Sequence, residues 1–97
     1  MTADQQSNPV RRHVIYRGRV QGVFFRATSY DLSRSFQVVG YVRNAPDGTV
    51  ELEAEGPLSE VDGFLAAVAN HFKHNITAAR ASDVPARGDE RDFRIRY

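Results

Sequence analysis

The sequence predicts an α+β fold in which two helices cover one face of an antiparallel sheet. Three observations predict it. A short β-prone run leads into a glycine-containing loop and a helix-like segment, two further β-prone runs flank a four-residue turn, and an apolar pattern of helical period precedes two more strand-like runs. The predicted order is therefore strand, helix, strand, strand, helix, strand, with a short additional strand at the C-terminus.

The size and composition of the chain restrict its function. Its 97 residues suffice for one domain, and 13 Lys and Arg against 12 Asp and Glu leave a net charge of +1, without the basic surface typical of nucleic-acid binding. The absence of cysteine excludes disulfides and thiolate chemistry and suits a reducing compartment. No apolar run is long enough to cross a membrane or to act as a signal peptide. We expect a soluble cytoplasmic protein with a disordered tail, residues 1–9, and one domain, residues 10–97.

The first strand and the first helix flank the segment GRVQGVFFR, residues 18–26. The β-branched and aromatic residues 14–16 precede it and indicate a strand that ends at the glycine loop. Beyond the loop, three apolar residues fall on one face of the predicted helix: Phe25, Leu32 and Phe36.

The turn APDG, residues 45–48, separates two β-prone segments, residues 37–44 and 49–56. Pro46 presets the backbone dihedral of the second turn position and Gly48 suits the fourth, so the two segments should pair as an antiparallel hairpin. In the second segment apolar residues alternate with glutamates, which predicts one face in the core and one in water. The two sets are Val50, Leu52 and Ala54, and Glu51, Glu53 and Glu55.

The second helix is predicted after Pro57, with Ser59 as its N-cap and Asp62 in the capping-box position. Its apolar face consists of Val61, Phe64, Leu65, Val68 and Phe72. Residues 76–84 and 92–97 are then interpreted as strands. The complete order is the split βαβ plan of ferredoxin-like proteins, which hosts many unrelated functions, so function has to be argued from the site.

The glycine loop has the chemistry of an anion site. Successive N–H groups in such a loop form a concavity, and the helix start adds unpaired N–H groups and a partial positive charge. Arg26 falls near the first helical turn, where the helix dipole disfavours a cation unless an anion lies between them. On local chemistry alone, a simple turn with a solvated Arg26 is the favoured interpretation, and Asn44 is an ordinary turn residue.

Three segments together resemble the acylphosphatases, small ferredoxin-like hydrolases of carboxylic–phosphoric anhydrides. They are GRVQGVFFR, GYVRNAPDGTVE at residues 40–51, and the closing DFRIRY, and the resemblance runs from about Val10 to Tyr97. It implies that Arg26 binds phosphate, that Asn44 positions the attacking water, and that one loop cradles the phosphate. The residues of this loop are Val20, Gln21, Gly22, Val23, Phe24 and Phe25.

Three positions depart from the pattern of the family. Tyr41 stands where tryptophan is usual, an exchange that we expect the core to tolerate, and Phe24 stands where glycine is frequent. Gln37 occupies a position where a glycine commonly ends the first helix. If the backbone there needs a positive φ, Gln37 carries strain of about 1 kcal/mol, and Gln37→Gly would be stabilising. None of these departures affects Arg26 or Asn44.

The chemistry of acyl phosphates explains why so few functional groups are present. The leaving carboxylate has a conjugate acid with a pKa of about 4, so no general acid is needed. N–H groups and one arginine can stabilise the transferring phosphoryl group in place of a metal. We expect a monomeric enzyme without metal or cofactor, with a small acyl phosphate as substrate and inorganic phosphate as product and inhibitor. His71 and His74 lack a third ligand and are interpreted as solvated.

Two other functions compete with hydrolysis. An RNA-binding module of this topology would display aromatic residues on its central strands, where this sequence has glutamates that repel phosphates. The stronger alternative is a non-catalytic module that binds acyl phosphate or carbamoyl phosphate, like the acylphosphatase-like domain of hydrogenase-maturation carbamoyltransferases. We expect the lack of a partner domain to favour the enzyme.

Overall fold

The computed structural model describes residues 8–97, so the tail predicted for residues 1–9 lies outside the described residues except for Asn8 and Pro9. The strands are β1 Val10–Gly18, β2 Val39–Asn44, β3 Val50–Gly56, β4 Ile76–Val84 and β5 Phe93–Arg96, and the helices are α1 Phe25–Ser33 and α2 Leu58–His71. This order confirms the predicted sequence of elements. Among the described residues, no helix is long and apolar enough to span a bilayer.

The five strands form one sheet in the order β4-β1-β3-β2-β5. β1 pairs antiparallel with β3 and β4, and β2 pairs antiparallel with β3. The prediction of a purely antiparallel sheet is wrong at one edge, because β5 runs parallel to β2. The reason is that β4 and β5 lie at opposite edges of the sheet. The linker carries the chain from one edge to the other, and β5 then runs beside β2 in the same direction as β2.

The core lies between one face of the sheet and the two helices. Phe25 at the start of α1 stacks on Phe72 at the end of α2, with ring centroids 4.2 Å apart, and lies 5.1 Å from the ring of Tyr16 on β1. These contacts fix the first turn of α1 to the body of the domain. The same buried cluster includes Val14, Val42, Val50, Leu52, Ala54, Val61, Phe64 and Val68.

The buried face of α1 differs from the predicted one. The buried residues of this helix are Phe25, Ser29 and Ser33, while Leu32 is only partly buried and Phe36 lies beyond the helix end. Small serine side chains allow the helix to pack closely, a feature that apolar spacing cannot reveal. The prediction of Phe25, Leu32 and Phe36 as one helical face is therefore confirmed for Phe25 and, as a partly buried core contact, for Leu32, and it is wrong for Phe36, which packs against the core from beyond the helix end.

The start of α2 also differs from the prediction. Pro57, with φ −57°, is the N-cap, no side chain caps the helix, and the Pro57 carbonyl accepts hydrogen bonds from the N–H groups of Glu60 (2.9 Å) and Val61 (3.0 Å). Because the fixed φ of Pro57 suits a helix start, the helix begins before Ser59, which cannot act as the N-cap. The predicted apolar face is confirmed: Val61, Phe64, Val68 and Phe72 are buried, and Leu65 is partly buried.

The predicted hairpin is confirmed in its details. The Gly48 N–H donates to the Ala45 carbonyl (3.1 Å), which closes the four-residue turn. Asp47 Oδ1 accepts from the Thr49 N–H (3.0 Å) and from its hydroxyl (2.6 Å). The turn therefore holds a definite shape directly after Asn44, the last residue of β2.

The second face of the sheet carries an ion-pair layer instead of free glutamates. Arg11, only 1% exposed, donates to Glu53 (2.5 Å), Glu55 (2.9 Å) and Glu90 (2.6 Å). The linker between β4 and β5 closes over it, because the N–H groups of residues 87 and 88 donate to Glu55. The prediction that Glu51, Glu53 and Glu55 face water is therefore wrong, most clearly for Glu55, which is 4% exposed.

This ion-pair layer makes the stability of the fold depend on pH. Burial raises the pKa of the Glu55 carboxyl, but the N–H groups of Arg87 and Gly88 and the Arg11 guanidinium outweigh burial and lower the pKa below its usual value. A carboxyl with a lowered folded-state pKa stabilises the fold above its unfolded pKa, and this contribution is lost as the pH falls through the folded pKa. We expect the free energy of unfolding to decrease from about pH 5 downward.

Glu55→Gln tests this prediction. The variant should lose about 3 kcal/mol at pH 7, because it leaves Arg11 without one buried partner, and its stability should depend less on pH between about 5 and 3. Urea denaturation at several pH values measures both effects. Asp31→Asn, which removes an exposed carboxyl, is the control. A pH dependence in Glu55→Gln equal to that of the parent protein would contradict the assignment.

Candidate active site

The glycine loop is anchored at both ends. At its start, Gly18 adopts φ 121°, and a Cβ there would lie 2.3 Å from the Asn75 carbonyl oxygen. That carbonyl accepts a hydrogen bond from the Arg19 N–H (2.9 Å), so the loop is held against the residue that precedes β4. Glycine at position 18 is thus required by this close approach.

The loop ends at Phe24, the N-cap of α1. Phe24 has φ 62° and ψ 24°, no side chain caps the helix, and the first helical turn contains no acidic residue. The first helical hydrogen bond runs from the Thr28 N–H to the Phe24 carbonyl (2.9 Å). The N–H groups of residues 25–27 consequently remain available to a ligand or to water, and the helix dipole favours an anion there.

Arg26 and Asn44 line the same cavity, of about 240 Å³. Its lining residues are Val20, Gly22, Phe24, Phe25, Arg26, Ala27, Asn44, Ile95 and Tyr97. Arg26 is the second residue of α1 and Asn44 the last of β2, so two distant parts of the chain meet at the uncapped helix start. Arg26 carries the only charged side chain among these lining residues, which suits an anionic ligand.

The Arg26 guanidinium has no carboxylate partner within residues 8–97. Its carbon Cζ lies 4.9 Å from the ring centroid of Tyr97, which is a cation–π contact. By contrast, Arg11, Arg12 and Arg43 are each held by carboxylates. The Arg26 guanidinium therefore contacts an aromatic ring, while its N–H donors remain available for a two-pronged contact with an anion.

Gln21 connects the loop to the hairpin instead of lining the cavity. Its amide Nε2 donates to the carbonyls of Ala45 and Thr49, both at 2.8 Å. These carbonyls flank the turn that follows Asn44, so Gln21 sets the distance between the loop and Asn44. Val23 also lies away from the cavity and packs against the core. The other four residues predicted for the loop line the cavity.

The contribution of the C-terminus to this cavity was not predicted. Ile95 and Tyr97 line it because β5 pairs with β2, whose last residue is Asn44. The alternation of Phe93, Ile95 and Tyr97 was a usable signal: with Phe93 in the core, the next two residues of that face continue toward the end of β2. Ala27 is a further lining residue that was not predicted.

One group of potential metal ligands lies on the other face of the sheet. Ligand atoms of His13, Glu51 and Glu53 lie within 4.8 Å of one another. Glu51 is hydrogen-bonded to His13 (2.7 Å) and to Arg43, and Glu53 is bonded to Arg11. These ion pairs account for the group without a metal. His71 and His74 are both exposed.

The backbone strain predicted at Gln37 is found elsewhere. Within residues 8–97, Phe24 is the only non-glycine residue with positive φ, so the prediction for Gln37 is wrong and Gln37→Gly has no strain to relieve. α1 ends at Ser33, and a further turn before residue 37 removes the need for a left-handed residue there. Tyr41 is buried as predicted, but outside the core cluster, under the guanidinium of Arg96 at 4.6 Å.

Comparison with known proteins agrees with this geometry. The family model of the acylphosphatases matches residues 12–95, which include the loop, Arg26 and Asn44. The chain belongs to the acylphosphatase family. It is 41% identical over 88 residues to an acylphosphatase of Geobacillus thermodenitrificans, covering 90% of this chain and 94% of the relative. It is 39% identical over 92 residues to an acylphosphatase of Anaeromyxobacter, covering 90% of this chain and 95% of that relative.

Solved acylphosphatase structures share its fold. The crystal structure of acylphosphatase from Bacillus subtilis superimposes with a TM-score of 0.81 at 30% sequence identity, covering 91% of this chain and 99% of that one. The structure of an acylphosphatase from Coxiella burnetii superimposes with a TM-score of 0.80 at 28% sequence identity, covering 99% of this chain and 100% of that one. The ferredoxin-like architecture predicted from the sequence is thereby confirmed.

Proposed function

We propose that this acylphosphatase hydrolyses acyl phosphates through Arg26, Asn44 and the loop of residues 20–25, without a metal ion. Hydrolysis of acyl phosphates follows from its family. The assignment of roles rests on one observation: Arg26, free of carboxylate partners within residues 8–97, and Asn44 line one cavity at the uncapped N-terminus of α1.

In the proposed reaction, the phosphate group of the substrate lies against the N–H groups at the start of α1. Arg26 donates two hydrogen bonds to the phosphate oxygens. The negative charge of the phosphate offsets the unfavourable proximity of the Arg26 cation to the helix N-terminus. The same donors stabilise the charge of the transferring phosphoryl group.

Asn44 orients a water molecule in line with the phosphorus–oxygen bond to the acyl group. The water oxygen forms a bond to phosphorus, the bond to the acyl oxygen breaks, and its electron pair leaves with the carboxylate. Of the two water protons, one stays on the new oxygen of inorganic phosphate and the other passes to a second phosphate oxygen or to solvent. Because a carboxylate is a good leaving group at neutral pH, none of the lining residues has to act as a general acid.

Benzoyl phosphate hydrolysis tests this function and its independence of metals. We expect turnover to be the same with and without a chelator, and inorganic phosphate to inhibit competitively, because the N–H groups and Arg26 replace a cation. A blank without enzyme corrects for spontaneous hydrolysis. Loss of turnover in chelator, restored by magnesium or zinc, would contradict metal independence.

We further propose that the protein acts as a monomer in the cytoplasm. The cavity of one chain already brings together Arg26, Asn44 and the start of α1, the groups that the proposed reaction uses. A chain without cysteine is compatible with a reducing compartment.

A further inference from the structure

Phe24 combines two unfavourable features at the edge of the cavity. Its backbone lies in the left-handed region, where a bulky side chain is strained, and its side chain is 81% exposed. Glycine would avoid both the backbone strain and the exposed ring. Packing in the core does not compensate for them, since Phe24 is not part of the buried cluster. Strain of this kind at the edge of a binding site indicates a functional role for the side chain.

Tyr97 shows the same combination of exposure and position. It is 96% exposed and lines the same cavity, and its ring is held against the Arg26 guanidinium. Within residues 8–97 four large apolar or aromatic side chains are exposed: Phe24, Tyr30, Leu58 and Tyr97. Two of these four therefore stand at one small cavity, and Ile95 adds apolar surface beside them.

The cavity thus has two chemical parts. Arg26, Asn44 and the N–H groups of α1 suit the phosphate group. Phe24, Ile95 and Tyr97 offer apolar and aromatic surface that a phosphate group does not need. Ile95 packs partly against the core, whereas Phe24 and Tyr97 are exposed, and Tyr97 contacts Arg26. A substrate that bonds phosphate to an acyl group necessarily places that acyl group beside the phosphate.

We propose that Phe24, Ile95 and Tyr97 form an acyl-group subsite that selects acyl phosphates with an aromatic acyl group over small ones such as acetyl or carbamoyl phosphate. The inference rests on the proposed function, since it assigns the acyl end of the same substrate. An aromatic acyl group would cover apolar surface that is otherwise in water and would stack on the exposed rings. An acetyl group is too small to contact the rings of both Phe24 and Tyr97.

The test compares kcat/KM for benzoyl phosphate and for acetyl phosphate. Phe24→Asn removes the ring and keeps a residue that tolerates the left-handed backbone, so the loop can retain its shape. We expect the ratio of the two kcat/KM values to fall about tenfold in this variant, whatever loss is common to both substrates. Tyr97→Ala should lower the ratio as well. Tyr30→Ala, which removes an exposed ring outside the cavity, should leave the ratio unchanged.

A binding measurement keeps the inference testable if a variant loses turnover. By calorimetry, benzylphosphonate should bind the parent protein more tightly than methylphosphonate, and Phe24→Asn should reduce the difference. A ratio within twofold of the parent in Phe24→Asn, or equal binding of the two phosphonates to the parent, would overturn the subsite. A parent protein that hydrolyses neither substrate would instead refute the proposed function.

Discussion

Arg26→Lys is expected to lose most of the hydrolytic activity, although it keeps the positive charge. The planar guanidinium can bind two phosphate oxygens in parallel, and its Cζ lies 4.9 Å from the centroid of the Tyr97 ring, whereas an ammonium group is a point charge that cannot make the same two-pronged contact. We expect kcat/KM to fall about a hundredfold or more and the affinity for inorganic phosphate to fall with it. Steady-state kinetics and phosphate titration measure the two effects.

Arg34→Lys is the matched control for this variant. Arg34 is exposed at the C-terminal end of the same helix and does not line the cavity, so its replacement should change neither activity nor phosphate affinity. Near-normal turnover in Arg26→Lys would show that a charge at this position is sufficient and that the two-pronged contact is not used.

Asn44→Ala should reduce kcat about a hundredfold to a thousandfold while phosphate binds with nearly the affinity of the parent protein. A residue that orients the attacking water supports the transition state and contributes little to ground-state binding, so kcat and kcat/KM fall together. This result would also separate the enzyme from a non-catalytic module that binds acyl phosphate or carbamoyl phosphate, in which Asn44 would serve binding alone.

The controls for Asn44→Ala have to exclude damage to the hairpin. Asn44 directly precedes the turn of residues 45–48, so the urea midpoint of the variant must be compared with that of the parent. Asn70→Ala, at an exposed position on α2, should leave kinetics unchanged. Equal losses of turnover and phosphate affinity in a folded Asn44→Ala would place Asn44 among the phosphate ligands. Unchanged turnover would refute the water-positioning role.

Local chemistry made several elements predictable. Alternation along residues 50–56, apolar spacing along α2, and the turn residues Pro46 and Gly48 each describe a structure that neighbouring residues form together. The same locality explains the errors. The N-cap of α2 depends on whether Pro57 or Ser59 starts the helix, a choice between adjacent residues that a sequence pattern does not resolve.

The sequence was sufficient to predict the principal residues of the candidate site, but not how they are arranged in space. The segments around Arg26 and Asn44 were recognisable because each carries an unusual combination of residue types, and their resemblance to one family assigned them roles. The roles themselves await the experiments above. What no local pattern could supply is the support around them: the hydrogen bonds of Gln21 to the hairpin, and the ring of Tyr97 against Arg26.

By itself, then, the sequence determined the order of helices and strands, the family, and the two side chains proposed for catalysis, because short-range patterns and residue types carry that information. Tertiary structure alone decided that β5 runs parallel to β2, that Glu55 is buried beneath the linker, and that the left-handed residue is Phe24 and not Gln37. The third depends on how the backbone enters and leaves α1, and the first two depend on contacts between segments far apart in the chain. The cavity is the clearest case, since it exists only where the start of α1, the end of β2 and the C-terminus meet.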